Sequence, residues 1–203
     1  MDGFSKIFSK VFCINLDTRT DRRKKISEQA IKYGIDLSFF VVNMHKNPRR
    51  GCLLSHMNII KMARDQCLPN VLILEDDVQF VSNPHDLHEL PAQWDMLYLG
   101  GNVQEVYKDP WHANWKRVST FTTHAYAINC TIYDMLLEQL QQWIVDTDSG
   151  KIAYKTRRSI SSMPTTFTPT INVSCATQSW PYRTRIIVTS REMVNYSPYI
   201  IHK

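Results

Sequence analysis

Three carboxylates stand side by side in this sequence, directly after a run of apolar residues, in the segment Val71–Val78 with the sequence VLILEDDV. The apolar run predicts a strand buried on both faces, as in the middle of a parallel sheet. Adjacent negative charges at a strand end repel unless a positive partner is present, and Mg²⁺ or Mn²⁺ is the usual partner. Because open α/β sheets bind ligands at the carboxyl ends of their strands, we expect a metal-assisted site for a phosphorylated ligand. The alternative interpretation is an acidic surface turn.

The elements before this strand predict a β-α-β unit. Phe8 to Leu16 and Leu37 to Val42 are apolar enough to be strands, and a helix with one apolar face lies between them. Thr18, with Asp21 three residues on, is typical of a helix start, and Gly34 is typical of a helix end. Such a unit implies two parallel strands joined by a right-handed crossover.

The rest of the chain predicts further α/β structure that becomes weaker after residue 150. We expect helices over about Gly51 to Gln66 and from Thr131 to about Trp143, strands at Met96 to Leu99, Thr122 to Asn129, Phe167, Ile171 to Val173 and Ile186 to Val188, and a loop from Gln104 to Arg117. The pair Gly100-Gly101 follows a strand and would let backbone approach a ligand closely.

Composition limits the class of protein. The chain has 203 residues, 43% hydrophobic and 21% charged, which favours one globular domain over residues 1–203 and argues against disorder. No apolar run is long enough to cross a membrane, and the N-terminus lacks the apolar core of a secretory signal, so we expect a cytoplasmic protein. Five scattered cysteines suggest neither a zinc motif nor a disulfide framework. The net charge of +5 lies in clusters that suit an anionic ligand.

Several motifs occur together in a recognisable order. They are FCINLD at Phe12–Asp17 with Arg19 and Asp21–Arg23, GCLLSH at Gly51–His56, LILEDDV at Leu72–Val78, WDMLYLGG at Trp94–Gly101 and AYAI at Ala125–Ile128. In this order the sequence resembles glycosyltransferase family 25, which includes lipopolysaccharide-type and procollagen galactosyltransferases. The resemblance covers about residues 12–129.

This resemblance implies a fold and an activity. It implies a GT-A-type α/β fold, with a mixed, mostly parallel sheet flanked by helices, a donor and metal half over about residues 1–101 and an acceptor-side part over about 102–203. It implies a metal-dependent hexosyltransferase that uses a UDP-sugar of the glucose or galactose type, a glycan or protein-linked acceptor, and inversion. The link between Val42 and Gly51 is shorter than in members of this family, and the last third of the chain has no clear match to the family's motifs.

The resemblance to DxD-type motifs also implies roles for the acidic run. Asp77 is the expected ligand of Mn²⁺ or Mg²⁺, since the ion must neutralise the diphosphate leaving group. Glu75 lies two residues away and faces the same side if the strand continues, so it is the second expected metal ligand. Asp76 then faces the opposite side, towards the donor sugar.

Other residues are expected at the donor and acceptor. Arg19 and Arg22 suit the diphosphate because arginine makes charge-assisted contacts to phosphate. The full set of expected donor-binding residues is Asn15, Leu16, Asp17, Arg19, Arg22, Ser55, His56, Glu75, Asp76, Gly100 and Gly101. Inversion needs a carboxylate base, for which Asp146 and Asp148 are the candidates, although both also suit a helix-ending loop.

Two other functions remain open from the sequence. One is another nucleotide-sugar enzyme of the nucleotidyltransferase type, although the sequence contains no glycine-rich phosphate loop. The other is a non-catalytic carbohydrate-binding or nucleic-acid-binding domain. The acidic run would repel a phosphate backbone and the basic residues form no single stripe, so we expect no nucleic-acid partner.

Overall fold

The structure, a computed structural model, describes residues 6–80, 83–87, 90, 94–100 and 123–150, and the backbone alone of residues 103–106, 115–120 and 186–189. The strands are β1 Val11–Leu16, β2 Leu37–Val42, β3 Asn70–Glu75, β4 Met96–Gly100, β5 Val103–Val106, β6 Trp115–Thr120, β7 Ala125–Asn129 and β8 Ile186–Thr189. The helices are α1 Thr20–Lys32, α2 Pro48–Asp65 and α3 Tyr133–Asp148, with short 3-10 turns at Pro84–Asp86 and Cys130–Ile132.

The eight strands form one mixed sheet in the order β2-β1-β3-β7-β4-β8-β6-β5. β1 pairs in parallel with β2 and β3, and β4 pairs in parallel with β8, whereas β7 and β6 are antiparallel to each of their neighbours. Six strands therefore run in one direction and two in the other. The α/β class, with a mixed, mostly parallel sheet flanked by helices, is confirmed.

The sheet separates two apolar cores, and the pleat of β3 contributes to both. Val71 and Ile73 join the core that also contains residues of α2 and α3, while Leu72 and Leu74 join the core that contains residues of α1. All four side chains are at most 1% exposed, as expected of a central strand. Because the side chains of β3 alternate between the two faces of the sheet, this pattern determines on which face the first carboxylate after Leu74 lies.

The predicted β-α-β unit is confirmed, but its helix begins later than the sequence suggested. β1 and β2 are parallel and in register from Val11–Leu37 to Leu16–Val42. α1 starts after Arg19 without a side-chain cap, so the predicted start at Thr18 is wrong. Gly34 follows the helix with φ +59°, a conformation that glycine adopts without strain, which confirms the predicted end.

α2 begins three residues before the predicted start at Gly51, because the sequence Asn47-Pro48 makes a strong helix start. The Asn47 side chain accepts hydrogen bonds from the backbone amides of Arg49 and Arg50, and Pro48 occupies the first turn. A Cβ at Gly51 would lie 2.6 Å from Cβ of His45, so the absence of a side chain lets this turn lie against the preceding link.

The predicted loop over Gln104 to Arg117 is wrong in part. β5 and β6 form an antiparallel pair at the sheet edge, and β6 also pairs with β8. The latter strand confirms the prediction at Ile186 to Val188. The strands predicted near Phe167 and at Ile171 to Val173 lie outside the described residues.

Candidate metal and donor site

The residues of the acidic motif lie where four elements of the sheet meet. β1 and β3 end at this edge, and β7, which is antiparallel to β3, begins there, with Ala125 opposite Leu74. β4 also ends there, since Gly100 pairs with Ala125. Ligands of open α/β sheets bind at this kind of edge.

The strand pleat sends neighbouring carboxylates to opposite faces. Glu75 follows the β3 alternation onto the α2 face, where the hydroxyl of Thr123 donates to its Oε1 at 2.7 Å and His124 Nδ1 lies 3.2 Å from its Oε2. Asp76 lies on the α1 face, where it accepts a hydrogen bond from Asn15 Nδ2 at 2.8 Å. Neighbouring carboxylates of the acidic run therefore lie in two different environments, one on each face of the sheet.

Glu75 is held in its charged form. Burial opposes ionisation, but the hydrogen bond with His124, the charges of His56 and His124, and the Thr123 hydroxyl lower its pKa to about 2. The bond to Glu75 in turn raises the pKa of His124, whose side chain is 42% exposed. The result is an anionic carboxylate beside an imidazole whose protonated form is favoured, at the rim of the sheet.

Arg22 of α1 joins the other two carboxylates. Its Nη1 lies 2.9 Å from Asp76 Oδ1 and 2.9 Å from Asp77 Oδ2. Asp76 is 9% exposed and Arg22 is 31% exposed, whereas Asp77 is 45% exposed and faces solvent. The positive charge that the sequence required at this strand end is therefore supplied in part by Arg22.

Glu75, Asp77 and His124, here called the outer group, fit a divalent cation. Their ligand atoms all lie within 4.8 Å of one another, and the group combines partly buried and exposed members. Two carboxylates and one imidazole form a donor set that suits Mn²⁺, and the carboxylates alone suit Mg²⁺. These are the residues that would hold the expected ion.

The other predicted donor residues lie at different depths around this edge. Asn15 is 1% exposed and also donates to the Arg19 carbonyl at 3.1 Å. Leu16 is the last residue of β1, the turn begins at Asp17, and the Arg19 side chain pairs with Asp21 at 2.9 Å. Among the described residues, none lies within 4 Å of a Cβ placed at Gly100. Gly101 lies outside the described residues.

The pair Ser55 and His56 occupies the buried face of α2. The Ser55 hydroxyl donates to the Gly51 carbonyl one turn earlier, at 2.8 Å. His56 is 2% exposed, and its Nδ1 lies 2.7 Å from the Tyr126 hydroxyl. Both side chains are buried inside the protein and are not exposed at the edge of the sheet where the strands end.

The two candidates for a catalytic base belong to the last turn of α3, not to the predicted loop. Asp146 accepts a hydrogen bond from Gln142, and Asp148 forms an ion pair with Arg50 at the start of α2. At the other end of these helices, Arg64 pairs with Asp134. The helices are thus antiparallel, and Asp148 lies at the end where α2 begins.

Thr123 and His124 are site residues that the sequence interpretation did not identify. A histidine next to a strand carries no ligand signal by itself. The signal was the alternation His124-Tyr126-Ile128, which places this histidine on the same face as Tyr126. Only the antiparallel insertion of β7 beside β3 brings it to Glu75.

Replacing His124 should change how stability depends on pH. A group whose pKa is raised by folding stabilises the protein below its ordinary value of 6.5 and loses that contribution as the pH rises through the folded value. Glu75 keeps its charge until the pH falls well below 4.5, so it does not titrate in this window. We expect His124→Gln to lower the free energy of unfolding more at about pH 6 than at about pH 9.

Urea unfolding of both proteins at both pH values, with a chelator present, measures this difference. Equal losses at the two pH values would show that the His124–Glu75 contact does not stabilise the charged imidazole.

A family model supplies the deciding comparison. Residues 46–118, which include α2, the acidic motif and β4, match the model for glycosyltransferase family 25 (LPS biosynthesis protein). The resemblance to glycosyltransferase family 25 is confirmed. The motifs at Gly51–His56 and Leu72–Val78, which carry this resemblance, have defined positions in α2 and at the end of β3.

Curated relatives agree with this match. Procollagen galactosyltransferase 1-B of Xenopus laevis is 29% identical over 135 residues, covering 49% of this chain and 22% of the relative. A glycosyltransferase 25 family member of Aedes aegypti is 25% identical over 138 residues, covering 51% and 23%. Procollagen galactosyltransferase 2 of Homo sapiens is 24% identical over 181 residues, covering 71% and 29%. The chain thus spans less than a third of these relatives.

Among solved structures, the apo-form glycosyltransferase GlyE of Streptococcus pneumoniae TIGR4 has a TM-score of 0.46 at 12% identity, covering 73% of this chain and 40% of that chain. Within the part of the chain that the structure describes, none of the helices has both the length and the apolarity that a bilayer crossing requires.

Proposed function

We propose that this chain is a metal-dependent glycosyltransferase domain that moves a hexose from a nucleotide-diphosphate sugar to a glycan or protein-linked acceptor. The observation that carries the proposal is the convergence of Glu75, Asp77 and His124 at the carboxyl edge of the sheet. The family 25 match includes both carboxylates. The relatives named procollagen galactosyltransferase support a UDP-sugar of the glucose or galactose type as donor.

Within this proposal, each charged residue has a distinct task. Glu75, Asp77 and His124 would hold Mn²⁺ or Mg²⁺, which when bound neutralises charge on the diphosphate leaving group. Arg22 orients Asp77 through its 2.9 Å contact, and the same guanidinium carries five N–H donors with which to reach a phosphate oxygen. Asn15 and Arg22 fix Asp76 below the rim, where it would meet the donor sugar.

The acceptor side of the proposal is built on different residues. Inversion needs a carboxylate that takes the proton of the acceptor hydroxyl, and Asp146 and Asp148 remain the predicted bases. Their position in the last turn of α3, tied to α2 by Arg50, supports a role only for an acceptor that reaches this helix end. No described residue lies within 4 Å of a Cβ placed at Gly100, which supports backbone contact with the donor at the end of β4.

Thermal unfolding with nucleotides tests the donor and metal parts together. We expect UDP with Mn²⁺ to raise the melting temperature, while UDP alone, Mn²⁺ alone, GDP and ATP have much smaller effects. Ligand at about 100 times its dissociation constant would add about 2.7 kcal/mol of stability. Stabilisation by ATP or GDP in preference to UDP would contradict the UDP-sugar donor, and stabilisation without metal would contradict metal dependence.

A further inference from the structure

A second cluster lies behind the outer group, inside the protein. It consists of Cys52, His56 and Glu75, here called the inner group, whose ligand atoms all lie within 4.8 Å of one another. Cys52 and His56 are four residues apart on α2 and therefore occupy the same helix face. That face packs against the end of β3, where the side chain of Glu75 turns towards the helix.

His56 gives this cluster an unsatisfied polar atom. The side chain is 2% exposed, and its Nε2 has no hydrogen-bond partner of normal geometry among the described residues. Burial lowers the pKa of His56, but the neighbouring Cys52 side chain and the charge of Glu75 raise it above its ordinary value. The nearest charged atom is Glu75 Oε1 at 3.9 Å, which is beyond hydrogen-bond range. A buried polar atom without a partner is costly, so its retention here calls for an explanation.

The orientation of the His56 imidazole supplies an explanation for this unpaired atom. Nδ1 lies 2.7 Å from the Tyr126 hydroxyl, and Tyr126 is itself 1% exposed. In the neutral imidazole whose Nδ1–H donates to this hydroxyl, the lone pair of Nε2 is directed towards Cys52 and Glu75. A cation binds this form, so a protonated His56 would release its Nε2 proton when the cation enters. Histidine ligands of metals are characteristically fixed in this way through their other ring nitrogen.

We propose that the inner group binds a thiophilic divalent cation of the Zn²⁺ type through the Cys52 sulfur, His56 Nε2 and the Glu75 carboxylate. Sulfur, imidazole and carboxylate are the three ligand types of protein zinc sites, and a thiolate disfavours Mn²⁺ and Mg²⁺. Zinc–ligand bonds of about 2.0–2.3 Å require the donor atoms to close in by about 1 Å, which side-chain rotation can provide. Three protein ligands leave one position for water.

This site goes beyond the proposed glycosyl transfer, because it needs no nucleotide. Glu75 is shared by the two groups, with Oε1 near His56 and Oε2 near His124. The carboxylate therefore links a buried position for a soft cation with a rim position for a hard one. A bound zinc ion would also fasten α2 to the end of β3.

Cobalt spectroscopy tests the inner group directly. We expect one equivalent of Co²⁺, added to the metal-free full chain, to give a sulfur-to-cobalt charge-transfer band in the near ultraviolet, and one equivalent of Zn²⁺ to remove it. Cys52→Ser should abolish the band, and Cys130→Ser, which alters an exposed cysteine outside both groups, should retain it. A wild-type protein without the band, or a band that persists in Cys52→Ser, would overturn the proposal.

A measurement on the wild-type chain guards against a variant that does not fold. We expect Zn²⁺ to slow alkylation of Cys52 by iodoacetamide at least tenfold, measured by peptide mass spectrometry, and to leave Cys130 unaffected; equal rates with and without zinc would overturn the site. Asp77→Asn separates this inference from the proposed function. The Asp77→Asn variant should retain the cobalt band and lose Mn²⁺-dependent stabilisation by UDP. Failure of the inner metal site and failure of the proposed function can therefore be distinguished.

Discussion

Asp77→Ala is expected to lower Mn²⁺-dependent hydrolysis of the donor sugar about 10³-fold, since losing about 4 kcal/mol of metal-mediated charge stabilisation changes a rate by that factor. Asp77 is the exposed carboxylate of the outer group, and its neighbour Asp76 is held on the α1 face by Asn15 and Arg22. The measurement is release of nucleotide from UDP-glucose and UDP-galactose over a range of Mn²⁺ concentrations.

The fold should survive this change. Arg22 keeps its contact with Asp76 when Asp77 is removed, and partly exposed ion pairs contribute only about 0–1 kcal/mol. Asp134→Ala is the matched control, because it removes an exposed aspartate whose ion pair with Arg64 lies at the opposite end of α2 and α3. Full turnover in Asp77→Ala, at unchanged Mn²⁺ dependence, would remove Asp77 from the metal site.

Asp76→Ala is expected to destabilise the protein by about 2–3 kcal/mol, although it removes only one carboxylate. Asp76 accepts hydrogen bonds from Asn15 and Arg22, and Asn15 is 1% exposed. Removing one partner of a buried charged contact leaves the other without compensation, which costs up to about 3–5 kcal/mol when burial is complete. Arg22 is 31% exposed, so the smaller figure applies.

Urea unfolding of Asp76→Ala and Asp134→Ala, compared at one pH, separates this network from a general effect of lost charge. The control should lose less than about 1 kcal/mol. If both variants lose equal amounts, the contacts of Asp76 with Asn15 and Arg22 do not contribute to stability beyond an ordinary surface pair.

The parts of the fold that the sequence predicted are those set by local pattern. The apolar runs of β1, β2 and β3 and the glycine at position 34 are signals within a few residues, and each predicted element is present. The hairpin of β5 and β6 was missed because residues 104–117 are polar and tryptophan-rich. Its strands form through pairing with each other and with β8, more than 60 residues later, which no local pattern encodes.

The same distinction between local sequence pattern and pairing of distant segments applies to the site. The strand alternation predicts that Glu75 and Asp77 share one side and that Asp76 faces another, and the two carboxylates do lie in one group with His124. Neither the pairing of Arg22 with both aspartates nor the approach of His124 to Glu75 follows from spacing. Each joins segments 48 or more residues apart through the order of strands.

The reversed strand β7 has an evolutionary consequence. Because its first residues arrive at the edge where β3 and β4 finish, His124 is the first site residue after the excursion through β5 and β6. Insertions or deletions in the connections of that excursion would therefore leave the pairs of β1 with β3, β3 with β7 and β7 with β4 in place around the carboxylates at positions 75–77.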